Sequence, residues 1–195
     1  MTRILLIHGH PSEEGLTARL ARAYAEAART AGAEVQELWL GRLAFDPILR
    51  QGFRGPQALE PDLKRAQEAL GWAEHLVFVF PVWWGGWPAL LKGFVDRVFL
   101  PGFAFRYRDG GGLWDRLLKG RSARLIVTSD APVLWDRLVN RHGAVHQMRQ
   151  ATLKFCGVSP VKTTRFGMAR KAGPGRLAGW EAQVHALAIA EARHG

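Results

Sequence analysis

Three short stretches carry the residue types from which a site could be built. The first, "HGHPSEEGLT", sets His8, His10, Ser12 and Thr17 at the entry to a helix-like segment. Free N–H groups and the dipole of a helix N-terminus make such a loop a phosphate cradle. The second, "PVWWGGW" from Pro81 to Trp87, crowds three of the eight tryptophans around Gly85 and Gly86. A flat, apolar, redox-active ring needs an aromatic wall and a backbone that can approach it, and Trp84 beside two glycines offers both. The third, Thr128 to Trp135, contributes the hydroxyls of Thr128 and Ser129. Blander readings stand beside these: Thr17 as a plain N-cap and Trp87, next to Pro88, as core.

Other chemistries find less support. The first loop lacks both the G-x-G-x-x-G of dinucleotide-binding folds and the G-x-x-x-x-G-K-S/T of nucleotide hydrolases. His142 and His146 have the i, i+4 spacing of metal ligands, but no third ligand accompanies them, so no metal is expected. The single cysteine, Cys156, excludes an internal disulfide and reads as a small buried hydrophobe. A net charge of +10 raises the question of nucleic acid, yet the basic stretch Arg106 to Arg124 is interrupted by Asp109 and Asp115. Dispersed charge of this kind suits anionic small molecules better than a phosphate backbone, and no nucleic-acid partner is expected.

The elements that must position these loops follow from periodicity. Leu76 to Leu91 is free of charge, but Pro81, Gly85, Gly86 and Pro88 break it well short of the ~20 residues of a membrane span. It reads as a strand, a loop and a helix start, and no integral membrane segment is expected. Strands are expected at Arg3 to Ile7, Ala33 to Leu40, Leu76 to Phe80, Ala123 to Asp130 and Val161 to Phe166. Helices are expected at Thr17 to Ala31, Asp62 to Ala73, about Pro88 to Phe99, about Asp136 to Cys156, and Gly175 to Ala192. Gly41 to Pro61 reads as a loop. Five strands alternating with five helices predict one α/β domain, residues 1–195, with a doubly wound parallel sheet and helices on both faces. Ligands of such sheets sit beyond the carboxyl ends of the strands, which selects the three loops. The amino terminus lacks a signal-like run, and a cytoplasmic location is expected.

The quoted stretches also resemble a known family. "FPVWWGGWPALLKGFVDRVF" is similar to the F-P-L-x-W-x-x-x-P-A-x-L-K-G-W-x-x-R-V-F of the flavodoxin-like NAD(P)H:quinone oxidoreductases, the DT-diaphorase family. "GFAFRY" is similar to its F-A-Y-x-Y, "LKFCG" to its L-x-F-C-G, and "HPSEEGLT" to a degraded H-P-x-x-x-S-F-N. The resemblance implies a flavodoxin-like fold and transfer of two electrons from NADH or NADPH to a quinone or similar acceptor, in a ping-pong cycle. The cofactor it implies is FMN, with FAD the alternative. Pro81, Val82, Trp83, Trp84 and Gly85 would lie against the flavin ring, and His10 and Thr17 near its phosphate. Thr128 and Ser129 stand where the family has a T-T-G-G turn, with Asp130 and Ala131 replacing the glycines. Phe105, Tyr107 and His142 would line the substrate pocket, with Tyr107 and His142 as its catalytic groups. A homodimer is implied, with Phe99, Phe103, Phe105 and Tyr107 offered to the partner in an exposed loop. Two alternatives stay open: a flavodoxin-type electron carrier, for which an acidic surface is expected, and a regulatory flavoprotein subunit of a potassium-efflux system.

Overall fold

The computed structural model describes residues 1–55, 57–108, 110 and 112–194. Its main sheet holds five parallel strands: β1 (Arg3–His8), β2 (Glu34–Trp39), β3 (His75–Pro81), β6 (Ser122–Thr128) and β7 (Val161–Phe166), in the order β2-β1-β3-β6-β7. All seven residues of β3 are buried, as the uninterrupted apolar run Leu76 to Pro81 requires, and His75 at its start is buried with them. Alternate side chains feed two cores. Ile4, Leu6, Val77 and Val79 pack under α1 (Leu16–Thr30) and α6 (Pro174–His194). Leu5, Ile7, Leu76, Phe78 and Phe80 pack under α2 (Pro61–Trp72) and α3 (Ala89–Val98). The strand order reverses between β1 and β3, which brings the loops after these two strands and β6 to one edge.

The expected loop between β2 and α2 is present, and α3 organises it. Arg97 is wholly buried there; its guanidinium donates to the carbonyls of Asp46 and Ala58 and pairs with Glu60 at 2.8 Å. A planar fork of five donors can satisfy several acceptors of an irregular segment at once.

Three expectations are corrected. The stretch after α3 contains an antiparallel hairpin, β4 (Phe105–Tyr107) with β5 (Trp114–Arg116), whose three-residue strands are too short to leave a periodicity. The stretch from Phe99 to Tyr107 is not an exposed aromatic loop. Phe99 and Phe105 are buried and Phe103 half-buried, because Phe105 turns inward to meet Phe155 edge-on at 5.1 Å; Tyr107 remains 64% exposed. The single helix from Asp136 to Cys156 is instead α4 (Val133–Leu138), a break, α5 (Gly143–His146) and a π-helical stretch Gln147–Lys154. Arg141 and His142, with φ of 49° and 54°, make the break.

Packing of α6 onto the sheet is fixed by one polar cluster. Arg124 of β6 donates to Glu191 Oε1 through Nε at 2.9 Å and again through its terminal amine, while the Tyr24 hydroxyl of α1 donates to Oε2 at 2.8 Å. Burial would raise the Glu191 pKa, but the nearby His75 and Arg124 outweigh it and bring the carboxyl down from 4.5 to about 2. A depressed acid contributes stability that is complete above 4.5 and is lost as the pH falls through 2. Glu191→Gln is therefore expected to destabilise the fold by about 3 kcal/mol at neutral pH. The gap between wild type and variant in urea unfolding should close as the pH falls from 4.5 towards 2.

Candidate functional site

The first loop ends at an open helix terminus. Gly15 precedes α1 without a side-chain cap, and the first turn carries no acidic residue, so its leading N–H groups face outward unsatisfied by side chains. Thr17 is not the cap its sequence position suggested. It lies inside the first turn, buried, with its hydroxyl 3.2 Å from His8 Nε2. His8 is itself fully buried, and its Nδ1 has no hydrogen-bond partner. Burial first, then the charges of His10 and Arg22, push its pKa down to about 4 against the pull of Glu13, so the ring is neutral at physiological pH. The Glu13 carboxylate is turned away onto Arg42 and Arg22, and the hydrogen bond from Arg42 holds it below its usual range. Close packing keeps the loop in place: a Cβ on Gly41 would start 2.0 Å from the Pro11 carbonyl oxygen.

Beyond β3 the chain reverses within two residues. Trp83 and Gly86 exchange backbone hydrogen bonds of 3.0 and 2.9 Å across Trp84 and Gly85, whose φ values are 52° and 74°. Both central residues are thus left-handed, as in a type I′ turn. Glycine takes that conformation without cost, while tryptophan pays a steric penalty for it. Trp84 gains no packing in return, since its side chain is fully exposed. Trp83, 43% exposed, meets the His10 ring edge-on at 5.2 Å and so joins the second loop to the first. Trp87 is core, with its indole N–H donating to the Ala144 carbonyl at 2.7 Å.

The third loop continues the ladder of β3 and β6: the Val82 N–H donates to the Thr128 carbonyl at 2.8 Å, next to Pro81, whose register partner is Thr128. Ser129 turns its hydroxyl onto the Ala131 carbonyl, and the Asp130 carboxylate accepts the Arg170 N–H at 2.9 Å. The carboxylate is thereby tied to its own chain.

His142 follows in the break after α4, and Asn140 and Gly143 on either side of it lie against Gly85. Its ring is held at both nitrogens. Nδ1 is 2.8 Å from Asp136 Oδ2, and Nε2 is 3.0 Å from an Arg165 amine. Guanidinium only donates, so Nε2 accepts and the ring proton sits on Nδ1, shared with Asp136. Neither Asp136 nor Arg165 was singled out from sequence; a lone carboxylate in the apolar "PVLWDRLV" was the only trace. That segment is inside out. Asp136 is the buried residue of α4, while Leu134, Trp135 and Leu138 are 63%, 58% and 68% exposed, and Val139 beyond it is also exposed.

Tyr107 and Phe105 stand apart from this group. With Trp87, Phe155 and Cys156 they border a cavity of about 280 Å³ whose lining does not include His142. Cys156 is buried as expected, and burial pushes its thiol up to about 12.

These features have counterparts among known proteins. Guinea-pig (Cavia porcellus) NAD(P)H dehydrogenase (quinone) 1 is 27% identical over 213 residues, spanning 94% of this chain and 76% of that protein. The crystal structure of Smu.1420 from Streptococcus mutans UA159 superposes with a TM-score of 0.80 and 29% identity, over 96% of this chain and 99% of the other. An FMN-dependent NADH-azoreductase from Bacillus anthracis, solved in complex with FMN, has a TM-score of 0.74 over 98% and 100% of the two chains, but at 19% identity the likeness is one of fold. Residues 2–187 match a family described by its flavodoxin-like fold. Spanning nearly the whole sequence, and agreeing with a β2-β1-β3-β6-β7 sheet whose three loops converge on one edge, that match establishes that the chain belongs to the flavodoxin-like family.

Proposed function

We infer that the protein is an FMN-dependent NAD(P)H oxidoreductase that passes two electrons to a quinone or similar acceptor in a ping-pong cycle. One observation carries this reading: an uncapped helix N-terminus and an exposed Trp-Trp-Gly-Gly turn are joined edge to edge, through His10 and Trp83, at the sheet's switch point. The first suits a phosphate and the second a planar ring. The relative named NAD(P)H dehydrogenase (quinone) 1 supports the acceptor class, and the neighbour solved with FMN supports the cofactor.

Bound FMN would supply the hydride and two-electron chemistry. The N–H groups of α1, with His10 and Thr17, would hold its phosphate, and the neutral His8 would add polarity without charge. Pro81, Val82, Trp83, Trp84 and Gly85 would hold the ring, with Thr128 and Ser129 at its edge. Tyr107 and His142 would be the polar groups that meet the reactants. Since Nε2 of His142 accepts from Arg165, His142 would deliver a proton from that nitrogen only after parting from the guanidinium; while paired, it would hold the positive charge of Arg165 in place to favour negative charge on the bound group. Binding of FMN with a dissociation constant below about 100 μM, together with NADH- or NADPH-driven quinone reduction showing parallel double-reciprocal plots, is the expected result. Failure of both FMN and FAD to bind overturns the reading.

Two variants are expected to fail differently. Trp84→Gly should weaken FMN binding by about two- to tenfold, the equivalent of ~0.5–1.5 kcal/mol of aromatic contact. Its flavin-free fold should be more stable than that of Trp84→Ala by about 1 kcal/mol, because glycine relieves the left-handed turn. His142→Ala should leave FMN binding within about twofold and slow quinone reduction by roughly tenfold or more in stopped flow.

The reading includes a homodimer that brings Tyr107 of one copy towards the His142 group of the other. The exposed apolar face of α4, and not the stretch from Phe99 to Tyr107, is the surface that favours it. Sedimentation of the full chain should give twice the monomer mass at micromolar concentration, and Leu138→Asp should halve it.

A further inference from the structure

His8 ends β1 in the row of wholly buried apolar residues that runs from Ile4 to Ile7, and it is as closed to solvent as they are. Trp39 of β2 lies against its ring at 4.5 Å, and the Thr17 hydroxyl in the first turn of α1 is 3.2 Å from Nε2. A polar ring at such a position costs desolvation that a hydrocarbon would not. His8 also lies outside the stretch that resembles H-P-x-x-x-S-F-N, which begins at His10. Its presence is a property of this chain, and Thr17 is where it acts.

The direction of the hydrogen bond between them follows from the other ring nitrogen. A neutral imidazole carries one proton, on Nδ1 or on Nε2, and the His8 ring is neutral. With the proton on Nδ1, Thr17 would donate to Nε2, and a buried N–H would stand without an acceptor, since Nδ1 has no hydrogen-bond partner. With the proton on Nε2, the ring donates to Thr17 Oγ1 and only a lone pair is left unmatched. Orphaned buried N–H groups are the rarer of the two in folded proteins, so the proton belongs on Nε2.

Thr17 Oγ1 has no other hydrogen-bond partner among the described residues. Having accepted from His8, the hydroxyl keeps its own proton to donate, and a hydroxyl that accepts one bond donates the next more strongly. It does so in the first turn of a helix with no side-chain cap and no acidic residue to compete for it. Were the bond reversed, the hydroxyl would turn a lone pair towards an arriving anion. We propose that His8 is a positioning residue for the flavin phosphate: by donating Nε2–H to Thr17 Oγ1 it makes the Thr17 hydroxyl a fixed donor at the amino end of α1, which favours a phosphorylated flavin over a phosphate-free one. The proposal rests on the FMN-dependent function proposed for the protein.

In the flavin-free protein, ¹⁵N spectra of the histidine side chains should show the His8 proton on Nε2. FMN and riboflavin, which lacks the phosphate, are then titrated into the full-length chain, and FMN should bind at least about tenfold more tightly. Thr17→Val should weaken FMN by about tenfold and leave riboflavin within about twofold. His8→Phe should weaken FMN by roughly three- to tenfold, again sparing riboflavin. On the Thr17→Val background the same change should add less than about twofold, because the hydroxyl it acts through is gone. His8→Gln, whose amide can donate from the place of Nε2, should hold FMN within about twofold of wild type. If His8→Phe does not fold, the ring proton, Thr17→Val and His8→Gln carry the test. A proton on Nδ1, equal losses of FMN and riboflavin in either single variant, additive losses in the double variant, or a His8→Gln no better than His8→Phe overturns the proposal and leaves FMN dependence standing. A wild type that binds no flavin overturns both.

Discussion

With all seven residues of β3 closed to solvent, each side chain from His75 to Pro81 must find protein on one face of the sheet or the other. That demand brings α1 and α6 to one side and α2 and α3 to the other, and it puts β3 between β1 and β6. The loop beyond β3 then has no choice of place. It emerges between the loops after β1 and β6, and the backbone bond from Val82 to Thr128 carries the ladder one residue past the strand before the turn begins. The exposed tryptophans are thus set on the most deeply anchored strand of the molecule, which is what lets a strained two-residue turn persist.

Much of this was legible in sequence, because the signal is local. The alternation in "HLVFVFP" and the helical spacing of Leu20, Tyr24 and Ala27 announce buried elements without reference to anything distant. What could not be read is long-range or very short. Arg165 reaches His142 across 23 residues, from β7. Arg124 and Glu191 are 67 positions apart. The hairpin of β4 and β5 offers three residues per strand, too few for a period to show. Likewise, the stretch after Asp136 looks helical throughout, and the left-handed pair Arg141 and His142 that splits it is marked in sequence only by Asn140 before it and Gly143 after it.

The inside-out character of α4 follows from the same long-range pairing. Asp136 takes the inward position because His142 donates to it through both its ring and its main chain, and Asn140 adds a third contact at 3.3 Å. With a carboxylate on the inner face, the apolar residues of this short helix are left on the outer one. Polar organisation of the histidine and exposure of leucine and tryptophan are therefore two results of one choice of register.

The π-helical stretch Gln147–Lys154 has a bearing on how this region tolerates changes in chain length. Its bonds span five residues, a spacing that the Thr152 hydroxyl repeats in reaching the Gln147 carbonyl, and that lets Met148 and Leu153, five apart, both face the core. Immediately after it the Phe155 carbonyl accepts the Trp114 indole N–H at 2.8 Å, and the two rings stack 4.5 Å apart. Loss of one residue within the stretch would be taken up by a return to ordinary winding, which leaves the chain beyond Lys154 at nearly the same angle around the axis, with Met148 and Leu153 then four apart and still on one face. Phe155 would keep its place on Trp114, and the hairpin bearing Tyr107 its tether. A single deletion in this segment should therefore be accepted far better than one in a central strand, where a shift of one residue turns every side chain to the other face.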